Sequence, residues 1–439
     1  MCTDSSGPLP PTPAEGLLPD VPGTYPVSLA QRERLALWAS GRHSQDQPTD
    51  AWSFGCEITA REARFAWDAV IGRYETLRSV FVQAADGTFH CRRDDAETVA
   101  ARTFVVASPE EFFPALCAPV DLIGGALARL VVSHGAGETL IGMSFDHLVI
   151  DGHTFDRVSA DFFARLNGAD LPGPAPSSAD AFYRAELRAA ASPAGEKALA
   201  YWRRTTDGAT YPPLLAGMTR PSGAPVIPET GHAAVAFDAS AHHARMALGR
   251  SAMVLASVAA AIVRTLDLET DSEPFRILLQ SSRRSSPAHL TMAGFLSNWQ
   301  VASFAAGRDA RQMTDDVGDA VFRSMRCHQI HHAEVVNRLE PELYGARYVP
   351  SEPLPPYALF NYLSEQKTPV VRGHTGAELD VPPMGAYRLH GALRVYGIER
   401  TDGSGAAVRV IADASVFGAG FAAAVAQSVG TMATHGDPS

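Results

Sequence analysis

The sequence has few cysteines, and their positions do not suit a metal site or a disulfide framework. Five cysteines, at positions 2, 56, 91, 117 and 327, are scattered over 439 residues. None lies in a CxxC pair or at a Cys/His ligand spacing, so we expect neither a disulfide-stabilised scaffold nor a structural zinc site. This cysteine usage fits a reducing, cytoplasmic setting.

The chain also lacks a Lys/Arg-rich stripe and long apolar runs. Its 37 basic residues are outnumbered by 48 acidic residues, for a formal charge of −11. Since no basic stripe can neutralise a phosphate backbone, we expect no nucleic-acid partner. No window is long and apolar enough for a membrane span, and no basic segment followed by an apolar core opens the sequence, so neither a membrane nor a secretory leader is expected.

Two common catalytic motifs are missing as well. No glycine-rich phosphate loop is present, which removes the usual signature of nucleotide chemistry. No GxSxG elbow is present either, so a serine nucleophile of the α/β-hydrolase type is not expected. A hydrophobic content of 46% with 19% charged residues is typical of a globular protein.

The length and the distribution of proline and glycine predict two packed units after a tail. Residues 1–24 are rich in Pro, Gly and small polar residues and are predicted to be disordered. A chain of this length exceeds one ordinary core. The Pro/Gly/Ser-rich stretch "NGADLPGPAPSSAD" (167–180) is the best boundary, which gives lobes of residues 25–178 and 179–439.

Helices and strands alternate irregularly along the chain, which predicts an α+β fold rather than a doubly wound sheet. Thr59 and Glu62 form a capping-box pattern before an amphipathic helix whose apolar face includes Trp67. The stretch "ALARLVVSHGAGETLIGMSF" (126–145) predicts two strands joined by a Gly-rich turn, and a helix is predicted over 152–166. The strand "FNYLSE" (360–365) is expected to fill the C-terminal core.

The stretch "SFDHLVIDGHTF" (144–155) holds the candidate site, at the exit of the second strand. His147 is a side chain that can accept a proton near neutral pH, as a hydroxyl or amine requires when it attacks an acyl carbon. Asp151 is predicted to orient the loop or to pair with an arginine. Gly152 is predicted to let the chain turn tightly into the helix. Alone, the HxxxDG spacing also fits a surface histidine in a strand-to-helix turn.

Several stretches in the right order give this site more weight. The chain resembles the condensation-domain superfamily of nonribosomal peptide synthesis, relatives of chloramphenicol acetyltransferase, whose HHxxxDG signature is matched by Asp146, His147, Asp151 and Gly152. The other similar stretches are "SLAQRERLALW" (28–38, SxAQxRLW), "RYETLRSVF" (73–81, RHExLRTxF), the stretch before Arg129, "YW" (201–202), "GFLSNWQ" (294–300, GxFVNTQ) and "HQ" (328–329). The resemblance spans about residue 25 to the C-terminus.

The resemblance implies two acetyltransferase-like lobes in a V, with a tunnel between them. It implies an acyl donor held as a phosphopantetheine thioester on an acyl or peptidyl carrier protein, and a small-molecule amine or alcohol acceptor. His147 would take the acceptor's proton or orient the acceptor, and an amide or ester would form. The chain is predicted to be a free-standing condensation enzyme of specialised-metabolite or antibiotic biosynthesis, with no bound cofactor.

The same resemblance implies roles for the residues around His147. Asp151 is expected to pair with an arginine, and we predict Arg283 as its partner. Asn298 is expected near the opening between the lobes, or else in a turn where it satisfies backbone groups. Asp146 departs from the family, which usually has histidine there. Its carboxylate could bind the backbone or raise the basicity of His147, but it would also oppose developing negative charge. If it is only tolerated, Asp146→His should keep or raise activity, whereas complete loss would mean that Asp146 has a role of its own.

Three functions remain open at this stage. The first is the carrier-dependent condensation described above. The second is a degenerate condensation-like module that recruits another protein, an alternative that Asp146 leaves open. The third is an acyltransferase that uses free acyl-CoA.

Further histidines have less specific interpretations. His328, His331 and His332 lie at helical spacing in "HQIHH", but no carboxylate or fourth ligand accompanies them, so no metal is expected. His153 is predicted to be a solvated residue at a helix start, or else to face the tunnel.

Overall fold

The structure is a computed structural model that describes residues 23–39, 47–85, 87–135, 137–171, 173, 175–221, 225–237, 249–268, 273–284, 286–305, 310–325, 330–340, 355–365, 367–382 and 391–435. The predicted disordered tail lies outside the described residues, apart from residues 23 and 24. So does His328.

Helices and strands follow one another in irregular order, as the sequence predicted. The helices are α1 (Leu29–Ala39), α2 (Ala60–Arg73), α3 (Ala96–Thr103), α4 (Phe112–Leu116), α5 (Gly152–Leu166), α6 (Asp180–Ala190), α7 (Pro193–Thr206), α8 (Gly249–Thr265), α9 (Pro287–Leu290), α10 (Ala310–Met325), α11 (His332–Leu339), α12 (Ala414–Phe417) and α13 (Phe421–His435), with a 3₁₀ turn at Glu75–Arg78. The strands are β1 (Thr49–Phe54), β2 (Ser79–Gln83), β3 (Phe89–Arg93), β4 (Phe104–Ala107), β5 (Ala128–His134), β6 (Thr139–Phe145), β7 (Ser177–Ser178), β8 (Pro228–Ala236), β9 (Phe275–Ser281), β10 (Met292–Ala293), β11 (Asn298–Phe304), β12 (Ala358–Ser364), β13 (Val370–Val371), β14 (His374–Thr375), β15 (Ala377–Glu378), β16 (Leu393–Glu399) and β17 (Gly405–Asp413).

The first sheet has the strand order β15-β1-β6-β5-β4 and is antiparallel except where β4 lies parallel to β5. Helices α2 and α5 pack against each other beside it, and their aromatic side chains meet the sheet: Trp67 contacts both Phe145 and Phe162. The predicted capping box of α2 is confirmed, because Glu62 N donates to Thr59 Oγ1 and Thr59 N donates to Glu62 Oε2. This core fixes the end of β6, where the candidate site begins.

The second sheet has six strands in the order β11-β9-β12-β16-β17-β8. Helices α8, α10 and α13 contribute buried side chains to a core with one face of this sheet. Side chains of α7 and α11 pack with Leu278, Val301 and Leu359 on the other face. Strand β12 lies parallel to both of its neighbours. Of the stretch "FNYLSE", predicted to fill the core, only Phe360 is buried, and residues 361–365 are half-buried or exposed.

A late segment of the chain crosses to the first sheet. Strand β15 pairs with β1, with Trp52 opposite Glu378. Close by, the side chain of Asn167 donates to the carbonyl of Val370 and accepts from Arg372 N. The predicted boundary at residue 178 would therefore separate β15 from the sheet in which it lies. The V-shaped arrangement and the tunnel stay predictions.

Among the helices that the structure describes, none combines the length and hydropathy that a membrane crossing requires.

Candidate functional site

The loop between β6 and α5 carries His147 and is held by residues from two distant motifs. The carbonyl of Leu148 accepts a hydrogen bond from Gln31 Nε2 at 2.6 Å, and the carbonyl of Val149 accepts one from Thr76 Oγ1 at 2.8 Å. Within the loop, Val149 N donates to the carbonyl of Asp146. Gln31 and Thr76 belong to the "SLAQRERLALW" and "RYETLRSVF" stretches, so three stretches of the family resemblance meet here.

Gln31 is itself fixed at the start of α1. Ser28 N donates to Gln31 Oε1 at 2.9 Å, and Gln31 N donates to Ser28 Oγ at 3.1 Å. This reciprocal pair is a capping box, and it leaves the amide nitrogen of Gln31 to bind the loop. Both residues are buried.

The contacts of the His147 ring fix its tautomer. Nδ1 lies 3.0 Å from the carbonyl oxygen of Ile150. Because a carbonyl only accepts, Nδ1 carries the hydrogen, and Nε2 of the neutral ring keeps its lone pair. Among the described residues, Nε2 has no hydrogen-bond partner. The ring stacks on Phe295, with centroids 5.5 Å apart, so its orientation is held from both the loop and the "GFLSNWQ" stretch.

Asp151 is the most extensively bonded carboxylate of this site. As the N-cap of α5 it accepts hydrogen bonds from the backbone N and the hydroxyl of Thr154, at 3.0 and 2.9 Å. Leu296 N donates to its other oxygen at 3.0 Å. Arg284 binds both oxygens, at 2.6 and 3.1 Å. Asp151 therefore joins the His147 loop to the segment before β11, and its predicted pairing with an arginine is confirmed.

The predicted identity of that arginine is wrong. Arg283 pairs with Glu186 on α6, and both side chains are almost completely buried. The physical reason is the backbone of Arg283, whose φ of +52° takes the chain out of extended geometry just after β9. Arg283 and Arg284 therefore bind separate carboxylates. Glu186 also accepts a hydrogen bond from Leu29 N, so the pair with Arg283 connects α6, α1 and the end of β9.

Asp146, where the family usually has histidine, forms a buried ion pair. Arg34 of α1 binds it with Nε on one oxygen and Nη2 on the other, each at 2.8 Å. Leu148 N donates to Oδ1 at 2.8 Å, which agrees with the predicted backbone hydrogen bond. The Asp146 side chain has no exposed surface, and the Arg34 side chain is 13% exposed. The aspartate at this position therefore has an arginine partner on the neighbouring helix.

Gly152 does not need glycine's backbone freedom. Its φ is not positive, and an added Cβ would meet no protein atom within 4 Å. The turn into α5 is made by Asp151, with φ −118° and ψ 176°, which any residue adopts. The predicted reason for this glycine is therefore wrong. What the position provides is open space at the first turn of α5.

Asn298 lies completely buried at the start of β11 and satisfies backbone groups, one of its two predicted interpretations. Its Nδ2 donates to the carbonyl of Ile330 at 3.0 Å. Its Oδ1 accepts from His332 N at 2.9 Å and from Trp299 N at 2.8 Å. Asn298 therefore fixes the start of α11 against β11.

His331 and His332 use their ring nitrogens to bind backbone groups. His331 caps α11 by accepting from Ala333 N at Nδ1, and its Nε2 lies 3.2 Å from the carbonyl of Ser297. His332 Nε2 lies 2.9 Å from the carbonyl of Thr210. Within the described part of the chain, no group of three metal-ligating side chains comes together.

A pH dependence of stability follows from His331. Burial lowers its pKa, while Glu186 and Glu33 act in the opposite direction. Because the folded state binds this proton less tightly than the unfolded chain, the stabilisation is complete above histidine's ordinary pKa of about 6.5 and is lost as pH falls through the folded-state value. We expect the Tm of wild type to fall more steeply than that of His331→Asn, which can keep the cap, between about pH 7 and pH 5 by calorimetry. Parallel Tm curves would contradict this.

Sequence reasoning missed Thr154, Phe295 and Arg34. Thr154 is completely buried, and its hydroxyl lies within hydrogen-bond distance of Asp151, Arg284 and the backbone of Gly294. Its signal was available, since a threonine three residues after Asp151 suits the first turn of a capped helix. Phe295 and Arg34 gave no such local signal, because each acts on a residue far away in sequence.

Gly294 and His153 complete the contacts between α5 and the segment before β11. Gly294 has a φ of +148°, and an added Cβ would lie 2.7 Å from the hydroxyl of Tyr183, so only glycine fits. His153 Nε2 lies 3.1 Å from the carbonyl of Leu290, and burial lowers the pKa of this histidine. His153 is therefore a half-buried contact residue, and its orientation toward the tunnel stays a prediction.

Comparison with known proteins gives structural matches only. No protein-family model matches the chain, and no curated protein matches it significantly. The condensation domain of the monacolin K polyketide synthase has a TM-score of 0.71 and 17% identity, and the alignment covers 94% of this chain and 98% of that one. The first condensation domain of the calcium-dependent antibiotic synthetase, in complex with a substrate analogue, has a TM-score of 0.67, 17% identity, and coverage of 94% and 96%.

A third match is the X-domain of teicoplanin biosynthesis, solved in complex with OxyB. Its TM-score is 0.67 at 16% identity, and the alignment covers 98% of this chain and 97% of that one. These similarities extend over nearly the whole of each chain, although the sequences have diverged far. The chain therefore has the fold of the condensation superfamily, as its motifs predicted.

Proposed function

We propose that the chain is a condensation-type acyltransferase that joins an acyl thioester to an amine or alcohol at His147. The observation that carries this proposal is the state of the His147 ring. Its Nδ1–H is bound to the carbonyl of Ile150, and its Nε2 keeps a lone pair without a partner among the described residues. That is the tautomer a general base needs.

The proposed reaction uses this geometry. The acceptor's N–H or O–H donates to Nε2 of His147, and the acceptor atom attacks the thioester carbonyl. As the new amide or ester bond forms and the C–S bond breaks, the proton passes through Nε2 to the departing sulfur, which leaves as a thiol. The stack with Phe295 and the bond to Ile150 keep the ring from turning away.

Asp146 is compatible with this chemistry because its charge is matched. A free carboxylate near the thioester would oppose the negative charge that develops on the carbonyl oxygen. Arg34 binds both oxygens of Asp146, so the pair as a whole carries no net charge. Gly152, five residues from His147, leaves the exposed first turn of α5 without a side chain at this position.

The proposed donor is an acyl group on the phosphopantetheine arm of a carrier protein, with acyl-CoA as the alternative. Both are substrates, and no bound cofactor is part of the proposal. The two donors share one thioester and differ only in what carries it. Incubating the protein with matched acyl-carrier and acyl-CoA donors, and following the product by mass spectrometry, distinguishes them.

We expect His147→Ala to lower kcat by about a hundredfold or more while the protein stays folded, because the substitution removes the general base. The matched control is His134→Ala, which removes an exposed histidine at the end of β5 remote from the His147 loop. This control should keep the wild-type rate within severalfold. Wild-type turnover in folded His147→Ala would overturn the mechanism.

Recruitment of another protein is the second candidate function. The observation that favours it is the structural match to an X-domain solved in complex with OxyB. A recruitment module would turn over neither acyl-carrier nor acyl-CoA donors, and His147→Ala would leave its partner binding unchanged. Turnover that depends on His147 would exclude this alternative.

A further inference from the structure

A cavity of about 280 Å³ lies at one end of the helical layer on the second sheet. It opens between the start of α8, the end of α10, and strands β9 and β12. Its apolar lining comes from Ala252, Leu255, Leu279, Val321, Met325 and Phe360. Ala252, Leu255 and Phe360 also belong to the core that α8, α10 and α13 form with the second sheet, so the cavity extends from that core.

The size of the cavity selects the class of ligand. Most of the accessible wall is apolar, and apolar cavities of about 150 Å³ in proteins bind a benzene ring. A volume of about 280 Å³ therefore accepts a larger group, such as a phenylalkyl or branched alkyl chain. The small side chain of Ala252 on α8 leaves this space open.

One wall of the cavity is polar and ordered. Gln300 Nε2 donates to Ser281 Oγ at 2.8 Å, and Gln300 Oε1 accepts from Ser324 Oγ at 3.0 Å. The hydroxyl hydrogen of Ser281 has no acceptor among the described residues, so it remains available to a ligand. The cavity therefore suits an apolar group that carries one acceptor oxygen near Ser281.

Arg284 is shared by the cavity and the candidate functional site. It lines the cavity, and its guanidinium binds both oxygens of Asp151 in the His147 loop. We propose that the cavity binds an aromatic or branched apolar side chain of a substrate whose reactive group lies at His147. This inference rests on the proposed function.

The first test measures binding without turnover. The probes are methyl 3-phenylpropanoate and methyl acetate, with Kd measured by calorimetry. We expect the phenyl ester to bind wild type, and Ala252→Phe to weaken its binding by at least about tenfold, the factor that burial of an apolar side chain contributes. Met325→Trp narrows the opening at a residue that is 42% exposed and tolerates a larger side chain. It should weaken binding too.

The control is Phe322→Trp, which enlarges another α10 side chain, 49% exposed, outside the cavity lining. It should leave Kd unchanged. Equal Kd values for the phenyl ester in wild type and in folded Ala252→Phe and Met325→Trp would overturn the cavity proposal. So would an absence of phenyl-ester binding to wild type.

A second test identifies which substrate enters the cavity and separates this proposal from the proposed function. N-acetylcysteamine thioesters of acetic and 3-phenylpropanoic acid are compared as donors, and methylamine and 3-phenylpropylamine as acceptors. Ala252→Phe should abolish the preference for the phenyl compound either among the donors or among the acceptors. The series that loses its preference identifies the substrate whose side chain enters the cavity. Turnover with unchanged preference would overturn the cavity proposal alone. A different result is that the phenyl ester binds wild type and not Ala252→Phe, while no thioester is turned over. That result would overturn the proposed function and leave binding of an apolar group in the cavity standing.

Discussion

Replacing Asp151 with alanine is expected to lower the free energy of unfolding by about 3 to 5 kcal/mol, because it leaves a buried guanidinium without its carboxylate. The side chain of Arg284 is only 1% exposed, so water cannot replace the lost partner. The same substitution removes the N-cap of α5 and the acceptor for Leu296 N. The measurement is denaturant unfolding, with kcat followed in parallel.

Double substitution separates the ion pair from the cap. Asp151→Ala with Arg284→Met removes the unpaired charge and should recover much of the loss, since apolar replacement of a buried pair is often close to neutral. Asp151→Asn is the matched control, because asparagine can cap α5 but carries no charge. If the loss of unfolding free energy in the double variant equals the sum of the losses in the two single variants, Asp151 and Arg284 are not coupled.

This pairing illustrates how far the sequence reaches. The family resemblance predicted that Asp151 binds an arginine. Arg283 and Arg284 are adjacent in the sequence, so the prediction had to choose between two neighbouring residues. The choice between the two depends on one backbone angle, the φ of +52° at Arg283, which no local sequence signal indicates. The partner was therefore predicted as a residue type, but its position was wrong by one.

Local patterns predicted local structure well. The Thr59–Glu62 capping box, the buried Trp67 on α2 and the strand exit at His147 all depend on residues a few positions apart, where helix and strand periodicity acts directly. The fold class followed from the irregular alternation of helices and strands.

Long-range contacts could not be predicted in this way. Strand β15 has only two residues, too few for a periodic signal, yet it joins the first sheet from late in the chain. The stack of Phe295 on His147 and the bond from Gln31 to the loop likewise join segments more than a hundred residues apart. Such contacts depend on how the packed layers meet, which sequence spacing does not determine.

Asp146→His is the second substitution with a large expected effect, and the ion pair with Arg34 favours the outcome in which Asp146 has a role of its own. Histidine would match the HHxxxDG signature that the chain resembles, but a neutral imidazole cannot bind both nitrogens of Arg34 as the carboxylate does. Since Arg34 is mostly buried, we expect a loss of about 2 to 4 kcal/mol in the free energy of unfolding, and lower activity from a displaced His147 loop.

Arg34→Met together with Asp146→His tests the cause of that loss. The double variant no longer carries an unpaired guanidinium, so it should be more stable than Asp146→His alone, as measured by denaturant unfolding. If Asp146→His alone keeps wild-type stability and wild-type kcat, the ion pair with Arg34 would not hold the loop. Alternatively, stability and turnover fall together in the single variant and recover together in the double variant. Asp146 then contributes to catalysis through the position of the His147 loop, because Arg34 on α1 requires a carboxylate at this position.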